Sequence, residues 1–114
     1  MLIKKKSSAD VTREDAHGGA GGRRLYVTKE DMENKDFSAM TYGFLPAGGI
    51  FDWHQHDGIE EIMLVLNGKG YVEDREGKYE YSTGDLFIFP KNTEHRTENK
   101  DACENEFIFI RLQV

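Results

Sequence analysis

The sequence is short of several things, and each shortage closes a route. It has one cysteine, Cys103, in 114 residues, so no intramolecular disulfide can form and a disulfide-built secreted scaffold is excluded. It contains no run of ~18 apolar residues, so no hydrophobic helix long enough to cross a bilayer is expected and no membrane partner. The start, Met1-Leu2-Ile3-Lys4-Lys5-Lys6, is basic but lacks the apolar stretch that a signal peptide needs, which makes a cytoplasmic protein the expectation. Basic residues are outnumbered, 15 Lys and Arg against 21 Asp and Glu, for a net charge of −6. A general nucleic-acid partner would call for the opposite balance. Proline is scarce at 2, whereas glycine reaches 12 and aromatics 11%, a mixture that favours strands and turns over helices. The length suits one domain, which buries roughly two thirds of the surface its unfolded chain exposes and so can hold a core unaided.

The N-terminal stretch stands apart. Residues 4–24 carry almost nothing apolar and end in Gly18-Gly19-Ala20-Gly21-Gly22-Arg23-Arg24, which cannot offset the entropy of ordering by burial. Residues 1–24 are therefore read as a flexible arm and 25–114 as the folded domain. The functional alternative is a lid over a binding mouth with His17 at its tip. Leu25 to Val27 is a short strand. Thr28-Lys29-Glu30-Asp31 reads as a helix N-cap followed by at most one or two turns.

From Phe37 the pattern alternates, placing Met40, Tyr42 and Phe44 on one face of a strand, with core packing as the expected role. Further strands are expected at Ile50 to His56, Glu61 to Asn67, Tyr71 to Asp74, Lys78 to Tyr81, Leu86 to Pro90, Glu94 to Thr97 and Phe107 to Leu112. Turn residues separate them, Asn67-Gly68 being a strong hairpin signal. Eight or more short strands at this spacing predict an all-β sandwich or barrel.

Three of the four histidines cluster by pattern. His54 and His56 are two apart on one expected strand, so their rings share a side, with Cα atoms roughly 6.5 Å apart. Glu61 opens the next strand, close enough to face them, and His95 begins a later one. Three neutral imidazoles and a carboxylate suit a first-row divalent ion, and they leave coordination positions open on a six-coordinate metal. With no second cysteine, a thiolate zinc site is excluded.

At these residues the chain resembles the cupins. Their first motif, G(X)5HXH(X)3–4E(X)6G, is met by Gly48, His54, His56, Glu61 and Gly68. Their second, G(X)5PXG(X)2H(X)3N, is met by Gly84, Pro90, His95 and Asn99, with Asn92 in place of the second glycine. Asparagine tolerates the left-handed backbone that glycine would supply there. The resemblance implies a double-stranded β-helix, a small jelly-roll barrel, and one divalent metal ion (Fe, Mn, Ni, Zn or Cu) held by His54, His56, Glu61 and His95. It also implies a homodimer, because in small cupins a partner covers the outer sheet face; the alternative is cover by the chain's own N-terminal segment.

Strand parity assigns the remaining positions. Glu60 should face outward, Met63 and Val65 into the cavity, and Ile62, Leu64 and Leu66 to the outer face. Phe51 and Trp53 have the parity opposite to the histidines, which means packing or interface. Asp52 shares the histidine parity and could accept a hydrogen bond from one of them. Arg111 is read as pointing outward to surface carboxylates; pointing inward, it would clamp a carboxylate substrate. Cys103 has no base nearby and is given no catalytic role. The implied function is a metal-dependent oxygenase, isomerase, decarboxylase or lyase acting on a small organic acid, diketone or sugar. The alternative is a non-catalytic module that binds a small molecule for sensing or storage.

Overall fold

The computed structural model describes residues 2–114 and contains ten strands and no α-helix among them. The strands are β1 (Glu14–Ala16), β2 (Gly21–Thr28), β3 (Phe37–Leu45), β4 (Ile50–His54), β5 (Ile59–Asn67), β6 (Lys69–Glu73), β7 (Lys78–Ser82), β8 (Leu86–Phe89), β9 (His95–Asn99) and β10 (Asn105–Gln113). They form two antiparallel sheets, a six-stranded one in the order β1-β2-β3-β10-β5-β8 and a four-stranded one in the order β4-β9-β6-β7. Besides the consecutive pairs β1-β2, β2-β3 and β6-β7, the sheets join strands distant in sequence (β3-β10, β10-β5, β5-β8, β4-β9 and β9-β6), as in a jelly roll.

Alternation along the strands stacks the interior in rows. In the large sheet one row runs Gly43, Phe107, Val65; the next runs Thr41, Phe109, Met63, Phe87; the third runs Ala39, Arg111, Glu61, Phe89. The small sheet matches them with Asn99, Gly70 and Tyr81, then Thr97 between Phe51 and Val72, then His54 beside His95. The core is Leu45, Phe51, Met63, Val65, Val72, Tyr81, Phe89 and Phe107. The rows toward one end are thus mostly apolar around the buried Asn99, whereas the row at the other end carries histidines, a glutamate and an arginine.

Residues 2–24 are not the expected flexible arm. Strand β1 pairs with β2, and β2 pairs with β3 over Gly22–Thr28, so the sheet begins at Glu14. Ordering comes from contacts remote in sequence. The Arg13 guanidinium forks onto the Glu104 carboxylate at 2.6 and 3.1 Å and lies 3.9 Å over the Phe44 ring. Lys6 pairs with Asp31, and Lys4 Nζ donates to the Asp31 carbonyl at 2.6 Å. No apolar face within the segment announces these ties. Thr28 and Asp31 do form the anticipated cap, with the Thr28 N–H donating to Asp31 Oδ2 at 2.8 Å, but the turn it starts is a 3-10 turn over Lys29–Asp31.

Two face assignments also change. Met40, Tyr42 and Phe44 alternate with the inward Thr41 and Gly43 and so pack outside the barrel, Met40 under the N-terminal segment and Phe44 under Arg13. Phe51 lies inside, because the β4–β9 register shifts between Phe51 and His54. A bulge of this kind puts residues three apart on the same side. Trp53 stays outside, 3.6 Å beneath the Arg75 guanidinium.

Candidate metal centre

His54 ends β4, His56 follows in the loop to β5, and His95 opens β9 directly opposite His54. One ring nitrogen from each of the three lies within 4.8 Å of those of the other two. The rings are held from behind. His54 Nδ1 donates to the Asp52 carbonyl at 2.6 Å and His95 Nδ1 to the Thr93 carbonyl at 2.8 Å. A carbonyl only accepts, so Nδ1 carries the proton and Nε2 is left free, the arrangement metal-binding histidines use. His95 is further fixed by stacking on Phe89 at 4.1 Å. His56 Nε2 is buried with no hydrogen-bond partner among the described residues. An orphaned imidazole nitrogen beside two others fits a cation between them.

Glu61, 2% exposed, faces the rings from the opposite sheet, its carboxylate 3.7 Å from His56 Nε2 and 3.9 Å from His95 Nε2. Glu60 has the other parity. All four expected ligands are therefore brought together and could hold a metal ion. Burial depresses the imidazoles: His56 is pushed down to about 4 and His95 is lowered, in both cases mainly by loss of water around the ring. At neutral pH they present lone pairs rather than charges.

Residues 42–111 match the Cupin_2 family, described as a cupin domain. The chain belongs to the cupin family. Among curated proteins it is similar to the uncharacterized protein MJ1618 of Methanocaldococcus jannaschii, 31% identical over 61 residues, which is 54% of this chain and 49% of that protein. The chain spans about half the length of the curated relatives it matches. Among solved structures it resembles a predicted oxalate decarboxylase from Thermotoga maritima, with TM-score 0.84, 24% identity and 100% of both chains covered. It also resembles the ectoine synthase of P. lautus, with TM-score 0.83, 13% identity, and 97% of this chain and 78% of that one covered. At these identities the likeness shows the fold alone.

Three residues of this cupin behave differently from their sequence-based expectations. Arg111 points inward, and its Nε donates to Glu61 Oε2 at 2.6 Å. The last strand seats Arg111 in the same row as Glu61, and the carboxylate would otherwise be buried uncompensated. The Asp52 carboxylate is not a partner of the histidines; its side chain is 82% exposed and only its backbone carbonyl reaches His54. His17, assigned to a flexible arm, sits at the centre, its ring 4.3 Å from Phe51 and 4.7 Å from His54. The one local signal for it is the pair of glycines that follows, which marks a tight tip. Asn92 takes φ +59 and uses its side chain as well, accepting the Gly58 N–H at 2.8 Å, which ties the loop carrying His56 to the turn before His95. Cys103 is exposed in the last loop, away from the centre.

A cavity of about 320 Å³ adjoins the histidines, lined among others by His17, Arg23, Thr41, Phe51, His56, Phe109 and Arg111. A larger groove of about 480 Å³ lies on the outer face beneath the N-terminal segment, between Lys4, Lys6, Tyr26, Val27 and Met40. It contains none of the candidate ligands.

Proposed function

We propose that this cupin is a metal-dependent enzyme acting on a small organic acid, diketone or sugar, with one divalent ion held by His54, His56, Glu61 and His95. The observation that carries this reading is the buried, unpartnered Nε2 of His56, which faces the other ligands beside a cavity of about 320 Å³. That volume is within the range of small-molecule sites, about 300–1,000 Å³. The bound ion would supply Lewis acidity, polarising a substrate oxygen. The protein's own groups do the rest. Phe51, Phe109 and Thr41 shape the cavity wall, and Arg111 holds the Glu61 carboxylate in place. Glu61 and Arg111 offset each other, so a divalent ion leaves the centre positive. This favours an organic acid among the three substrate classes. The structural neighbours named above as a predicted decarboxylase and a synthase support an enzymatic role.

The test is metal analysis of protein purified without chelators, followed by turnover assays on short carboxylic acids, diketones and sugars. Near-stoichiometric divalent metal with turnover of an acid is expected. Thermal stabilisation by an acid without turnover would favour the non-catalytic binding module, and metal-free protein would overturn both.

We also propose that the outer face of the large sheet meets a second copy of the chain. Its rows pair Ile62 with Ile88 and Ile110, and Leu64 with Leu86 and Ile108. The N-terminal segment covers only the β2–β3 end, leaving Leu86 65% and Ile88 67% exposed. Sedimentation at micromolar concentration should show a dimer that Ile88→Glu converts to monomer. A monomeric wild-type protein would remove the proposal.

A further inference from the structure

The cavity beside the metal centre has two sides of different origin. One is the barrel, with His56, Arg111 and Phe109. The other is the tip of the β1–β2 hairpin, which carries His17. Three features of that tip call for an explanation beyond packing.

The first is position. The His17 ring stacks on Phe51 with its plane tilted by 27° and meets the His54 ring edge-on, so it lies over the ligand set without belonging to the group of three whose nitrogens converge. The second is backbone. His17 has φ +51, and Gly18 and Gly19 follow at +66 and +94, a run in the left-handed region. Glycine enters that region freely, whereas a residue with a Cβ does so at a disadvantage. A Cβ at Gly18 or Gly19 would touch nothing within 4 Å, so space does not dictate the residue types at this tip. The chain nevertheless keeps an imidazole at the first of the three positions, and a strained residue held over a site points to a role there. The third is access. Gly21 lets the hairpin close in, since a Cβ there would lie 2.3 Å from the Phe44 carbonyl oxygen and 2.6 Å from the Phe51 ring. The close approach that seats His17 over the barrel is therefore written into the sequence.

We propose that His17 is a substrate-contacting residue, the second anchor of a short acid whose first oxygen binds at the metal centre. The inference rests on the metal-dependent reading above. A neutral imidazole offers one donor and one acceptor, which suits a carboxyl, carbonyl or hydroxyl oxygen at the far end of the molecule. The charged groups lining the same cavity are Asp15, Arg23 and Arg111. Arg23 is engaged by Glu14 at 2.8 Å and Arg111 by Glu61 at 2.6 Å. His17 is thus the uncharged polar side chain that the hairpin contributes, and it selects bifunctional acids over monofunctional ones.

The experiment compares malonate with acetate as probes on the metal-loaded protein by titration calorimetry, with metal content measured alongside. His17→Gly relieves the backbone and removes the ring. It should weaken malonate by about tenfold or more while changing acetate by less than about twofold, with metal content unchanged. His17→Asn, which tolerates the left-handed region and keeps a donor and an acceptor, should recover part of the malonate affinity. Malonate affinity in His17→Gly within about twofold of wild type would overturn the role of His17 alone. Loss of metal from His17→Gly would also overturn it, by making the hairpin a prop of the centre. Wild-type protein that holds no metal would overturn this inference and the proposed function together.

Discussion

Alanine in place of His95 should empty the metal centre. His95 is 3% exposed, stacked on Phe89 at 4.1 Å and bonded through Nδ1 to the Thr93 carbonyl at 2.8 Å. Its ring is fixed before any ion arrives, and a fixed ligand loses little entropy on binding. Loss of a mere supporting hydrogen bond behind a ligand lowers metal affinity by about 10–100-fold, so loss of the ligand itself should exceed about 100-fold. Competition against a chelator, with elemental analysis, measures it. A His95→Ala protein with wild-type metal content would sink the centre.

The same experiment has a pH arm. His56 titrates near 4 rather than at 6.5, chiefly through burial, and His95 is also lowered. A base depressed in the folded state is already neutral at pH 7, and binding a cation displaces no proton from it. Metal affinity should therefore fall as the pH drops to about 4, where His56 takes up a proton that competes with the ion. For the metal-free protein the sign is the same. The stability His56 carries is fully present above pH 6.5 and is lost as pH falls toward 4, because the unfolded chain takes up a proton that the fold refuses, and the lowered His95 acts in the same direction.

The second large effect is on the fold. Asn99→Ala should destabilise the protein by about 3 kcal/mol, lowering Tm by roughly 10 °C for a domain of this size. Asn99 is wholly buried. Its side-chain Nδ2 donates to the carbonyls of Leu45, Pro46 and Cys103 at 2.9, 3.0 and 2.9 Å, and its Oδ1 accepts the Asp101 N–H at 2.7 Å. One amide thus joins the end of β3, the turn after it and the β9–β10 loop. Alanine would take this partner from the Leu45 and Cys103 carbonyls and from the Asp101 N–H. Thermal or urea unfolding of the variant checks this, and a change below about 1 kcal/mol would show that the loops are held by other means.

The candidate metal ligands were legible because each is set by spacing along a nearly regular strand or across a short turn. His54 and His56 stand side by side, and the parity that sends Met63 and Val65 inward sends Glu61 inward with them, leaving Glu60 outside. Asn99 was visible only as a motif position; its task emerges from three carbonyls that the chain brings to it. Parity failed where the strand is irregular. Parity sets Phe51 opposite the histidines, for packing or interface, but the bulge before His54 turns it into the barrel on their side, and nothing in Phe51-Asp52-Trp53-His54 announces the extra residue.

Arg111 and His17 belong to a different class. On a strand of alternating Ile108, Ile110 and Leu112, an arginine reads as surface-facing, yet the register with β5 sets it beside a buried carboxylate that needs a cation. His17 sits in a segment without an apolar face, so its local composition describes a loose arm. The segment is ordered by Arg13 reaching Glu104 and by pairing with β3, partners that lie tens of residues away. The sequence by itself determined the class of fold, the four candidate ligands and the turn at Asn92, since these depend on period, spacing and local backbone preference. Only the tertiary structure decided what surrounds those ligands: Arg111 on Glu61, His17 over the mouth and Phe51 beneath it. Those neighbours depend on register and long-range ion pairs, which local patterning does not encode.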